Sequence, residues 1–96
     1  MRTTDAATWT WYHGTTAERA ALIQREGFQP DSWFAVKREV AEVMGGPVVL
    51  EVLLPYEPKI AEEAIDADPE TGRWWQCHVL HAVPALAIVR RHDVDQ

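Results

Sequence analysis

An imidazole, a glycine and two hydroxyls stand together at His13-Gly14-Thr15-Thr16, where one kind of sequence pattern gives way to another. Before them, Thr8-Trp9-Thr10-Trp11-Tyr12 is entirely β-branched or aromatic, the composition that suits a pleated, half-buried strand. After them the chain turns to Ala-Glu-Arg-Ala-Ala-Leu-Ile-Gln-Arg-Glu, a helix pattern closed by Gly27. Thr15 with Glu18 three residues on reads as a capping box. A histidine at a strand end, beside a glycine and a helix N-terminus, gathers one imidazole and several free backbone N–H groups around one point. Such a point can hold a polar small molecule. The plainer reading is a histidine that satisfies a local hydrogen bond.

The other reactive residue types are sparse. His78 and His81 are three apart in a strand pattern and so face opposite sides, and His92 lies in a charged tail. No spacing of histidines fits a metal site. Cys77, the one cysteine, excludes an internal disulfide and reads as a small buried hydrophobe. No nucleophile elbow or phosphate-cradling glycine loop is present. Glu51 breaks an otherwise apolar run and is an edge or cleft carboxylate, or simply an outward-facing position. Glu62-Glu63 and the acids from Asp66 to Glu70 read as a solvated face.

The elements that must position these residues follow from periodicity. Residues 8–13 form a strand with Trp9, Trp11 and His13 on one face and Thr8, Thr10 and Tyr12 on the other. Residues 16–26 form a helix with Ala20, Ile23 and Gly27 at helical spacing, and Phe28 to Asp31 is a turn. Ser32 to Ala35 is short and extended. A second helix over about 36–44 sets Val36, Val40 and Met44 in one stripe before Gly45-Gly46-Pro47 stops it. Val48 to Leu54 is apolar on both faces apart from Glu51 and reads as a central strand. Pro58 opens a short helix over Ile60 to Ile65, Asp66 to Gly72 is a loop, and 73–81 and 85–91 are two more strands. The fold class is α+β with a mixed or antiparallel sheet and two to three short helices, since connections this short leave no room for parallel crossovers throughout.

Ninety-six residues make a single domain, 1–96, with a frayed end at 1–7. Five tryptophans supply large buried area for so short a chain. Nine basic residues against fifteen acidic ones give a formal charge of −6, which opposes broad nucleic-acid binding and leaves only a local basic site near Arg73 or Arg90-Arg91. With no apolar leader and no run long enough to span a bilayer, the expectation is a cytoplasmic protein without membrane contact.

The order of motifs resembles one family. Tyr12-His13-Gly14-Thr15, a helix ending Glu26-Gly27-Phe28, Trp33-Phe34-Ala35 before a second helix, then the apolar strand Val48-Val49-Leu50-Glu51-Val52, is similar to the ADP-ribosyltransferases of the His-Tyr-Glu class. These include the poly(ADP-ribose) polymerases and the diphtheria-like toxins. The likeness runs over roughly residues 9–90 and implies their split sheet. It implies NAD as the substrate and no metal. His13 would hydrogen-bond a hydroxyl of the nicotinamide ribose, the Gly14 backbone would bind the carboxamide, and Thr15 would support that contact. Trp33, with Phe34 behind it, would stand where the family has a tyrosine, its indole against the nicotinamide ring. Gln76, which opens the strand Gln76-Cys77-His78-Val79-Leu80, falls at the catalytic glutamate and carries no charge to stabilise a developing cation.

The resemblance implies a minimal mono-ADP-ribosyltransferase, with His13, Trp33 and Gln76 at the reacting end and an acceptor on another macromolecule. Two alternatives stay open. One is a module of the same fold that binds NAD, a nucleotide or a protein partner without catalysis. The other is the RNA 2′-phosphotransferase family, which brings several arginines to its phosphates.

Overall fold

A computed structural model describes residues 8–55, 65–67 and 74–93. The described chain is α+β. Its strands are β1 (Trp9–Thr15), β2 (Ser32–Ala35), β3 (Val48–Leu54), β4 (Ile65–Ala67), β5 (Trp74–Val79) and β6 (Ile88–Asp93). Its helices are α1 (Ala17–Glu26) and α2 (Arg38–Gly45), with a 3-10 turn over Ala85–Ala87. The strands form one sheet in the order β4-β5-β2-β1-β3-β6, and every pairing in it is antiparallel.

Strand alternation divides the sheet into two faces, each with its own helix. On one face Trp11, Phe34, Leu50, Val52, Cys77 and Val79 pack with Ala20 and Ile23 of α1 and with Phe28 and Val83. On the other, Ala35 and Val49 pack with Ala41 of α2, flanked by Tyr12 and Val40. Val48–Leu54 is the interior strand that its apolar run demands, held between β1 and β6.

Several boundaries differ from the sequence reading, two of them because a long-range pairing outweighs a local signal. Thr15 does not cap α1. It stays in β1, paired with Val48, and Thr16 becomes the cap, its Oγ1 accepting from the Arg19 N–H at 3.2 Å. Ile65 and Asp66, read as a helix end and a loop start, pair as strand with Cys77 and Gln76. The rest of the helix read over Ile60 to Ile65, residues 68–72 of the loop, and the end at 1–7 lie outside the described residues. Ala85–Ala87 is a 3-10 turn, so the last strand begins only at Ile88. Gly27 stops α1 as its position requires: φ is +90° and its N–H donates to the Ile23 carbonyl at 2.7 Å.

β1 and β2 barely touch. They share the single register pair Tyr12↔Ala35, whereas β1 and β3 share seven, from Trp9↔Leu54 to Thr15↔Val48. Beyond Tyr12 the two neighbours diverge, and the middle of the sheet opens.

Candidate active site

The opening between β1 and β2 is a cleft of about 380 Å³. His13 and Gly14 form its β1 wall, and Trp33, Phe34 and Ala35 form its β2 wall. Arg19 of α1, Asp31 of the turn before β2, and Ala41 and Gly45 of α2 close the rest.

His13 spans the gap. Its Nδ1 lies 2.7 Å from the Trp33 carbonyl oxygen, where continued pairing would have placed a backbone bond. A carbonyl only accepts, so Nδ1 carries the proton and donates. The ring packs edge-on to Phe28 at 5.0 Å and against Phe34 at 5.5 Å. Burial among these groups lowers its pKa from the ordinary imidazole value. The bond to Trp33 pulls the other way, and the Arg19 charge adds to the lowering. The imidazole is therefore neutral at neutral pH, and with Nδ1 committed its Nε2 is an acceptor. A ligand hydroxyl is the complementary group.

Trp33 is 40% exposed. One face of its indole is covered by the His78 ring, stacked at 4.4 Å and nearly parallel, 6° apart. His78 sits directly across the β2–β5 ladder from Trp33, and its Nε2 lies 3.2 Å from Asp31 Oδ1. A propped indole with an open second face suits a flat, electron-poor ring.

Gly14 also has a packing role. A Cβ there would fall on the Ala41 carbonyl oxygen, 2.7 Å from its carbon, and a Cβ on Gly45 would fall on the Gly14 carbonyl. The two glycines let α2 cross β1 with backbone against backbone. That crossing seats α2 as one wall of the cleft.

Of the residues singled out by sequence, His13, Gly14, Trp33 and Phe34 line this one cleft, although twenty positions separate the two pairs. Thr15 and Gln76 do not line it. Thr15 is buried in β1 opposite Val48, and Gln76, 8% exposed, lies one strand further out, paired with Ala35. Tyr12, Arg19, Asp31 and His78 were missed. Tyr12 stood inside the motif itself, but the roles of Asp31 and His78 depend on the β2–β5 register, which a linear pattern does not contain.

Glu51 has a separate explanation. Its Oε1 accepts from His92 Nε2 at 2.9 Å, and Arg38 donates to His92 Nδ1 at 3.1 Å. Because an arginine only donates, this direction is fixed, and the lone acid of β3 ends a three-residue chain tying α2 to β3 and β6. Cys77 is buried in the core beside Phe34. Among the described residues no three His, Cys, Asp or Glu side chains converge as metal ligands, and no helix is long and apolar enough to cross a membrane. Comparison with protein-family models, with curated proteins and with solved structures yields no match.

Proposed function

We propose that the cleft between β1 and β2 binds the nicotinamide riboside end of NAD, and that the chain is a mono-ADP-ribosyltransferase with a split sheet of the ADP-ribosyltransferase kind. One observation carries this reading: a neutral histidine, anchored through Nδ1 to the Trp33 carbonyl, and a half-exposed Trp33 indole propped by His78 line one cleft in a gap of the sheet. His13 Nε2 accepts from a ribose hydroxyl. Trp33 packs on the nicotinamide ring, with Phe34 holding His13 from below. Gly14 contributes backbone and the absence of a side chain. The volume falls within the range of small-molecule sites. Arg19, on the cleft wall, supplies the positive charge that a phosphate group requires.

A second reading is favoured by Gln76. A neutral side chain, buried beside the cleft, offers no charge to a reacting ribose, and a module that binds NAD without cleaving it fits that position equally well. The RNA 2′-phosphotransferase reading is weaker, because Arg19 is the single arginine among the described residues that line the cleft.

Calorimetric titration with NAD, run beside an assay of nicotinamide release and a labelling experiment with tagged NAD and cell lysate, separates these readings. Binding with release and labelled macromolecules, all lost in His13→Ala, is the outcome expected of the transferase. Binding without release supports the module. Absence of binding refutes both.

A further inference from the structure

A cleft that releases nicotinamide must meet positive charge. The ring is cationic before the bond breaks, and the ribose is cationic as it breaks. Gln76 cannot answer that charge. Asp31 is the one carboxylate among the described residues that line the cleft.

Three features hold it there. Its φ is +71°, the left-handed region, and it is the one non-glycine residue with positive φ among those described. Its N–H donates to the Val79 carbonyl at 2.9 Å, which fixes the turn against β5. Its Oδ1 lies 3.2 Å from His78 Nε2, on the ring that stacks under Trp33. The carboxylate thus lies beside the ring that props the indole, with no hydrogen bond from His78 Nε2 to it, and the Asp31 side chain stays 70% exposed at the cleft. An outlying backbone conformation maintained by a cross-strand bond, at the mouth of a cleft, is where functional strain collects.

Resting on the nicotinamide reading of the cleft, we infer that Asp31 supplies the negative charge that stabilises the cationic ligand and the ribosyl cation, in place of the neutral Gln76. In that step the bond between ribose C1′ and the nicotinamide nitrogen breaks. Its electron pair leaves with nicotinamide, which becomes neutral, and the positive charge passes to C1′ and the ring oxygen. The acceptor's nucleophile then forms the new bond to C1′ and gives its proton to water. Asp31 neither gives nor takes a proton in this step. Its part is electrostatic.

The test uses Asp31→Asn and Asp31→Gly, since Asn and Gly both tolerate the left-handed conformation. Two probes differing in charge are titrated calorimetrically: 1-methylnicotinamide, a cation, and nicotinamide, its neutral counterpart. Both variants are expected to weaken 1-methylnicotinamide about 3–5-fold, the scale of a partly exposed charge pair, and to leave nicotinamide within about 1.5-fold. Nicotinamide release at sub-saturating NAD is expected to slow by about the same 3–5-fold, because the exposed carboxylate is screened by water. Equal weakening of both probes makes Asp31 structural and overturns the inference, as does unchanged 1-methylnicotinamide binding. The charge comparison decides the matter even if the chain binds NAD without cleaving it. A wild-type chain that binds neither probe nor NAD overturns the nicotinamide reading itself, and the role of Asp31 falls with it.

Discussion

Replacing Gly14 with alanine should push α2 off the sheet. The added methyl group would coincide with the Ala41 carbonyl oxygen and lie 3.3 Å from Gly45 Cα, so it meets backbone on both sides and no flexible side chain can yield. Overpacking a close contact costs about 1–3 kcal/mol, and a site where only backbone can move belongs at the upper end. One intrinsic effect opposes the loss. Alanine restricts the unfolded chain by about 0.4–1 kcal/mol relative to glycine, and Gly14 is not among the glycines with positive φ, so no conformational strain is added. The net expectation is a destabilisation of about 2 kcal/mol, which for a domain of this size lowers Tm by roughly 10 °C.

Gly45→Ala makes the argument sharper. Gly45 is the last residue of α2, where alanine is intrinsically better by up to about 1 kcal/mol, yet its Cβ would fall on the Gly14 carbonyl. Loss of stability at a helical glycine replaced by alanine can then come only from the crossing. Once α2 has withdrawn for one methyl group, the second costs less, so the double variant should fall short of the sum of the singles by about 1 kcal/mol. Urea unfolding followed by circular dichroism measures all four proteins. Either single variant matching or exceeding wild-type stability, or strict additivity of the pair, would refute the claim that α2 and β1 meet backbone to backbone.

Other perturbations probe the remaining contacts. Trp33→Ala should weaken NAD binding by about 1–3 kcal/mol, some 5- to 150-fold, while Trp33→Phe keeps most of it; calorimetry decides, and equal affinity in the alanine variant removes the indole from the site. Because burial lowers the pKa of His13, the unfolded chain binds more protons than the folded one just below the ordinary imidazole value of about 6.5. Stability contributed by this group is fully present above that value and is lost as pH falls through it, and urea midpoints of His13→Asn across the same range should be flatter than those of wild type. Glu51→Ala leaves the His92 Nε2–H without its acceptor and should cost about 1–3 kcal/mol, whereas Glu51→Gln retains an acceptor oxygen and should recover most of it in the same unfolding assay. Thr16→Ala removes the α1 cap and should cost about 1 kcal/mol.

What could be read directly from the sequence was whatever depends on near neighbours. The apolar run Val48–Leu54, the breakers at Gly27 and Gly45-Gly46, and the helical spacing of Ala20 and Ile23 are all local patterns that the fold keeps. Two of the misreadings share one cause. Thr15 and Ile65 carry ordinary local signals, but cross-strand partners at Val48 and Cys77 claim them. His13 and Trp33 could be singled out by type and order, yet nothing in either segment shows that an imidazole would stand in for backbone pairing twenty residues away. Nor does Trp33-Phe34-Ala35 show that His78, Asp31 and the gap would share one indole.

The gap also explains how so short a chain accommodates a polar site. A concavity carved from the core would forfeit apolar burial that a core this small can scarcely spare. Parting two strands of a sheet forfeits hydrogen bonds instead, and each of those contributes little net stability where water or a ligand can replace it. One of the lost bonds is returned by His13 Nδ1 to the Trp33 carbonyl, and the walls on either side stay pinned by full ladders, β1 to β3 and β2 to β5. The core face beneath remains intact, with Trp11, Phe34, Leu50 and Cys77 all buried. The substitution that should test this economy is His13→Ala. It removes the returned bond and leaves both ladders untouched, so NAD binding should be lost while the chain keeps its fold, at a cost of about 1–3 kcal/mol. Global unfolding of that variant would mean that the histidine holds the sheet together and that the cleft is incidental.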